Sequence, residues 1–150
     1  MLRTCEFIVS GKPIGKGRPR FTKSGHTYTP KETKQYEQRI KQSAWAAMKK
    51  ANLQPTSKRI SVICSAHFDI PKSYSKLKTL ECEAGIHIPK RPDIDNIAKA
   101  VLDGCNEIVY NDDCMVWHLS AFKRYCDHEQ EAHLHVKIQW DDDEVENANI

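Results

Sequence analysis

The 150-residue chain has no apolar run near the roughly 20 residues that a bilayer-spanning helix requires, so no membrane association is expected. It has no Cys-x-x-Cys pair. Cys5, Cys64, Cys82, Cys105, Cys114 and Cys126 are scattered, several of them inside periodic apolar segments, which argues against a structural zinc site. Reduced thiols in a cytoplasmic protein are the simpler expectation. No Gly-Lys-Ser/Thr opens a helix. Gly15-Lys16-Gly17 comes nearest and does not match the Walker pattern, so no nucleotide cofactor is expected. The opening MLRTCEFIVSGKP is too short in apolar residues for the central region of a signal peptide and reads as a strand. This length suits one domain with a single core.

Charge is present but unevenly placed. The net +3 hides a gradient: residues 1–60 carry 14 Lys/Arg against 3 Asp/Glu, residues 61–126 carry 8 against 9, and residues 127–150 carry 1 against 8. Such a basic first segment suits a polyanionic partner, or else a solvated lysine-rich surface. The stretch GKPIGKGRPRFTKSGHTYTP at 11–30 concentrates it, with Lys12, Lys16, Arg18, Arg20 and Lys23 among glycines and beside Phe21, His26 and Tyr28. Glycines let the backbone approach phosphates and aromatic rings stack on unpaired bases. An ordinary hairpin loop has the same composition.

Residues 3–9 alternate up to Gly11 and predict an opening strand. Thr29 as N-cap with Pro30 in the first helical position predicts a helix to about Asn52, carrying Tyr36, Ile40, Ala44, Ala47 and Met48 at helical spacing. Arg59 to Phe68 alternates as a central strand. Ser73 is expected to cap a short helix that Gly85 ends, and Lys72, Lys76 and Lys78 make this either a DNA-facing flap or a plain connection. A further helix is expected from about Asp93 to Glu107, its stripe made of Ile94, Ile97, Ala98, Val101, Leu102 and Cys105. CMVWHLSAFKRY and AHLHVKIQW then read as an antiparallel hairpin turning at about residues 126–130. The order implies an α/β domain of the α+β type over residues 1–140, a small mixed sheet with two main helices on one face. Residues 141–150 read as an acidic, disordered tail.

The chain's chemistry concentrates in KRPDIDNIAKAVLDGCNEIVYNDD, Lys90 to Asp113. Each acid alone has an ordinary explanation. Asp93 or Asp95 favours a helix start, Asp112-Asp113 after Asn111 makes a good turn, and Asp95 with Lys99 has the spacing of a surface ion pair. Together, two acids at a helix start and two where the chain returns to the sheet can gather three or four carboxylates, whose repulsion calls for a cation. An oxygen-only donor set suits Mg²⁺, and Lys99 a turn away suits an added charge on phosphate. These residues point to a magnesium-dependent enzyme acting on a phosphate backbone. Asp103 lies two turns into the helix and is expected to be too far from the acids to share an ion. The pattern is similar to restriction-enzyme logic, but no Asp/Glu-x-Lys follows Pro92-Asp93 at the usual distance. His133 and His135 share a strand face and read as sheet-surface residues.

RPDIDNIAKAVLDGCNEIVYNDD closely resembles the central motif of the RusA family of Holliday junction resolvases, endodeoxyribonucleases common in phages and prophages. That motif runs Lys/Arg-Pro-Asp-x-Asp-Asn-x-x-Lys, a helix, then a Tyr- or Trp-containing turn into Asp-Asp. GKPIGKGRPRFT, YTP before a helix, and Ile70-Pro71-Lys72-Ser73 also look like that family, so the resemblance runs over most of residues 5–140. It implies a homodimer that places paired nicks across a four-way DNA junction in recombination and repair, using Mg²⁺ or Mn²⁺. Residue by residue it implies Asp93, Asp95 and Asp113 as metal ligands, Asp112 as an accessory acid and Lys99 as the catalytic lysine. Lys12, Lys16, Arg18, Arg20, Lys72, Lys90, Arg91 and the motif's Asn96 are the candidate DNA contacts. The alternatives are a nuclease selective for flaps or forks, and a non-catalytic branched-DNA-binding module. The intact Asp93, Asp95, Lys99 and Asp113 stand against the second.

Overall fold

Strands that alternate apolar and polar residues cover one face of a sheet and leave the other bare. In a computed structural model, which describes residues 1–17, 20–25, 27–28 and 30–143 (the backbone alone at 20, 21, 27 and 28), six such segments are β1 (Leu2–Ser10), β2 (Arg20–Phe21), β3 (Thr27–Tyr28), β4 (Ile60–Phe68), β5 (Val116–Tyr125) and β6 (His133–Asp141). The helices are α1 (Lys31–Lys50), α2 (Lys76–Glu83) and α3 (Ile94–Cys105), and a 3-10 turn spans Asp113–Met115. The class is α+β. The main sheet has the order β1-β6-β4-β5, while β2 and β3 form a separate small hairpin inside the glycine-rich loop.

From sequence, residues 114–125 and 132–140 are expected to pair as a hairpin. In the structure β4 lies between them: it pairs antiparallel with β6 and parallel with β5. Burial explains the order. Leu134, Val136, Ile138 and Trp140 are all buried in β6, an inner strand, whereas no residue of β5 is buried and the strand stays at the edge. A parallel β4–β5 pair cannot be joined by a tight turn and needs a crossover. The crossover is α2, the Lys90–Asp93 corner and α3, so the acidic stretch lies within it.

One face of the sheet carries Cys5, Phe7, Val9, Val62, Cys64, Val136 and Ile138 against Tyr36, Ile40, Ala44 and Met48 of α1 and Ile97, Val101 and Cys105 of α3. α1 and α3 pack closely, since a β-carbon at Gly104 would stand only 2.5 Å from Ile40 Cγ2. Ile94, expected in the buried stripe, is exposed. All six cysteines are free, with only Cys114 exposed.

Helix ends differ from expectation in small ways. Pro30, not Thr29, holds the N-cap position of α1, because its ψ of 141° is still extended while its carbonyl accepts from Lys34 N–H at 3.1 Å. Thr29 itself lies outside the described residues. Ser75, not Ser73, caps α2, accepting from Lys78 N–H at 3.1 Å after a turn closed by Tyr74 N–H on Pro71 O. α3 stops at Cys105 rather than Glu107, where Asn106 is extended and Glu107 has φ of +66°.

Candidate active site

The Lys90–Asp93 corner is held by two neighbours, one of which, Lys123, sequence reasoning did not single out. Lys123 of β5 donates to Lys90 O at 3.3 Å and to Pro92 O at 3.2 Å. From the other side Lys16 N–H donates to Asn96 O at 2.8 Å. Gly15 permits this approach, since a β-carbon there would meet Pro92 Cβ at 2.8 Å and Asn96 Cβ at 2.9 Å. The Arg91–Pro92 peptide is cis. Asp93 then takes the N-cap position of α3, its carbonyl accepting from Asn96 and Ile97 N–H at 3.1 and 3.2 Å. Its carboxylate makes no capping bond among the described residues and is exposed, as is that of Asp95. A cap residue that leaves the helix amides unserved keeps its oxygens for another partner.

Asp112 and Asp113 follow a firmly anchored turn. The fully buried Tyr110 donates its hydroxyl to Leu102 O at 2.6 Å, and Asn111 N–H bonds Thr56 O at 3.0 Å. The Cys114 N–H donates to Asp112 Oδ1 at 3.0 Å and, with Asp113 assisting, holds the Asp112 carboxyl below its ordinary value. Asp113 is held above its ordinary value by desolvation and then by Asp112, with Asp103 adding and Lys99 opposing.

Lys99 does not pair with Asp95 among the described residues. It turns toward the helix C-terminus, 3.5 Å from Asp103 Oδ2. The same oxygen lies 2.9 Å from Lys16 Nζ, and Lys16 also reaches Glu37 of α1 at 2.9 Å. Partial burial works to lower the Lys16 pKa, but the two carboxylates outweigh it and raise the pKa. Lys16, a candidate DNA contact from sequence, thus spends its charge inside the protein. Asp103, set aside from sequence, joins three charged groups.

Asp93 and Asp103 are ten residues apart, about 15 Å along a helix rising 1.5 Å per residue, and Asp113 feels the far half of that helix, Asp103 and Lys99. No three of Asp93, Asp95, Asp112 and Asp113 bring ligand oxygens within 4.8 Å of one another, among the described residues. The group that does is Asp141, Asp142 and Asp143, at the end of β6 and just beyond it. It is exposed and already paired, with the Met1 amine on all three and with Arg3 on Asp142 at 2.6 Å.

Of the remaining candidates, Lys12, Lys72, Lys90 and Arg91 are exposed and Asn96 is half-buried. Lys12, Arg91 and Asn96 line a cleft of about 480 Å³ that reaches Asp93. Arg18 lies outside the described residues, as does the Arg20 side chain and residues 144–150 of the acidic tail.

An α+β domain whose crossover helix begins with free carboxylates beside a basic loop matches a family of DNA-cleaving enzymes. A family model described as endodeoxyribonuclease RusA matches residues 10–139. The chain belongs to the RusA endodeoxyribonuclease family. It is also similar to the uncharacterized protein YqaN of Bacillus subtilis (strain 168), at 31% identity over 140 residues, 89% of this chain and 94% of that protein. No helix among the described residues is long and apolar enough to cross a membrane.

Proposed function

We propose that the protein is a divalent-metal-dependent endodeoxyribonuclease that resolves four-way DNA junctions in recombination and repair, working as a homodimer on Mg²⁺ or Mn²⁺. The observation that carries this reading is the pair of free, exposed carboxylates at the start of α3, Asp93 and Asp95, rimmed by Lys12, Lys90 and Arg91. Their donors are all oxygen, the set that hard cations take. Asp93 and Asp95 with Asp113 would hold the ion, and Asp112 would assist. When bound, it supplies Lewis acidity to a phosphoryl oxygen and a more acidic water. Lys99 stabilises the negative charge that builds on the phosphorus-bound oxygens as water attacks and one P–O bond breaks. Lys12, Lys90, Arg91, Lys72 and Asn96, with Arg18 and Arg20, hold the strand by its phosphates and sugars.

Pairing of two chains suits the symmetry of the substrate: a two-fold dimer carries two equivalent sites for two opposed strands.

A nicking assay tests the reading. The protein is expected to cut a synthetic mobile four-way junction symmetrically with Mg²⁺ and to leave it whole in EDTA. Faster cleavage of a flap or fork substrate would move the assignment to another branched structure, and metal-independent cleavage would overturn the site.

A further inference from the structure

We infer that Asp103 is a positioning residue for Lys99, holding its ammonium group at the side of α3 where the cleaved phosphate is presented. The inference rests on the reading of Lys99 as the charge-stabilising lysine and names what aims it. Lys99 has the side-chain freedom of an exposed residue, 61% accessible, whereas Asp103 is 22% accessible and Lys16 and Glu37 20% each. A mobile ammonium group is thus tethered to a fixed carboxylate. Asp103 is fixed because Lys16 at 2.9 Å is its closer partner and is itself tied to Glu37 at 2.9 Å. The Lys16 backbone is pinned in turn on Asn96 O, so Glu37 of α1 and Asp103 of α3 converge on the Lys16 ammonium, while Lys16 and Lys99 share one oxygen of Asp103. Lys99 is the only exposed member of the group. An exposed i, i+4 ion pair contributes little to stability, about 0.3–0.5 kcal/mol, so stability gives little reason for this arrangement. Orientation gives a better one: a lysine stem has four rotatable bonds, and fixing its head lowers the cost of ordering it against a transition state.

The test is a double-mutant cycle on junction cleavage, with Asp103→Asn and Lys99→Ala singly and together, each saturated with Mg²⁺. Asp103→Asn is expected to lower kcat on the order of tenfold with KM nearly unchanged. The loss should vanish when Lys99 is already alanine. Asp103→Glu, which keeps the charge, should recover most of the rate and also serves if the Asn variant folds poorly. An equal loss in both Lys99 backgrounds would overturn the positioning role, because Asp103 would then act without the lysine. A rise in the Mg²⁺ needed for half-maximal rate at unchanged kcat would also overturn it and make Asp103 a ligand. Should Lys99→Ala cleave at the full rate, both this inference and the catalytic reading of Lys99 fall. Loss of Asp103's effect alone, with Lys99→Ala impaired, leaves the catalytic reading standing.

Discussion

Single residues here take their meaning from what they are left without. Asp93 occupies a cap position and does not cap, so its carboxylate is kept for another partner. His67 is a second such residue, on the uncovered face of the sheet. Its ring stacks on His133 at 4.3 Å between centroids, its Nε2 meets Ser65 Oγ at 2.7 Å, and its Nδ1 is buried without a partner among the described residues. Burial, followed by the nearby His133, Arg124 and His135, lowers its pKa from 6.5 to about 4. Between those values the unfolded chain takes up a proton that the folded chain refuses. The stabilising contribution is therefore full above pH 6.5 and is lost as pH falls toward 4. Melting temperature should drop on the order of 5 °C across that window through this group, and His67→Gln should flatten the drop. An unchanged slope in that variant would assign the acid sensitivity to other groups.

At the scale of elements, the helices and strands were largely legible because their periodicity is local. Tyr36, Ile40, Ala44 and Met48 mark the buried side of α1, and alternation marks β4 and β6 without ambiguity. Pairing was not legible. Nothing within AHLHVKIQW says that its partners are strands some 130 and 70 residues earlier, so the hairpin with its sequence neighbour was the natural expectation. The acidic corner was legible as a motif, but the residues that hold it, Lys16, Lys123 and Gly15, are brought there only by folding. The partner of Asp103 was not legible for the same reason, since it is a loop lysine 87 positions away. Gly104 shows how tightly α1 and α3 depend on such non-local fits. Gly104→Ala gains about 1 kcal/mol of helix propensity but overpacks Ile40, at a cost of about 1–3 kcal/mol. A net loss of up to about 2 kcal/mol of stability is expected, read as a lower urea midpoint, and no loss would mean that α1 gives way freely.

At the scale of the whole molecule, Asp93 and Asp113 are expected to serve one site. Asp93→Asn and Asp113→Asn should each abolish cleavage while binding of the junction survives, because the basic surface is untouched. Mixed and allowed to exchange subunits, the two inactive proteins would regain single-strand nicking only if the acids of one site come from both chains. No recovery after verified exchange would place each site within one chain. A different consequence follows from the placing of β6. The strand completed last in the chain lies between β1 and β4, and the Met1 amine meets Asp141 at 3.0 Å. Until residues 133–141 have been synthesised, β1 and β4 have no common partner and the nascent chain exposes two long unpaired edges. The same closure makes the start of β1 and the end of β6 neighbours. A circular permutant joining them through a short linker and opened elsewhere in an exposed loop should fold, whereas a chain cut before His133 should not.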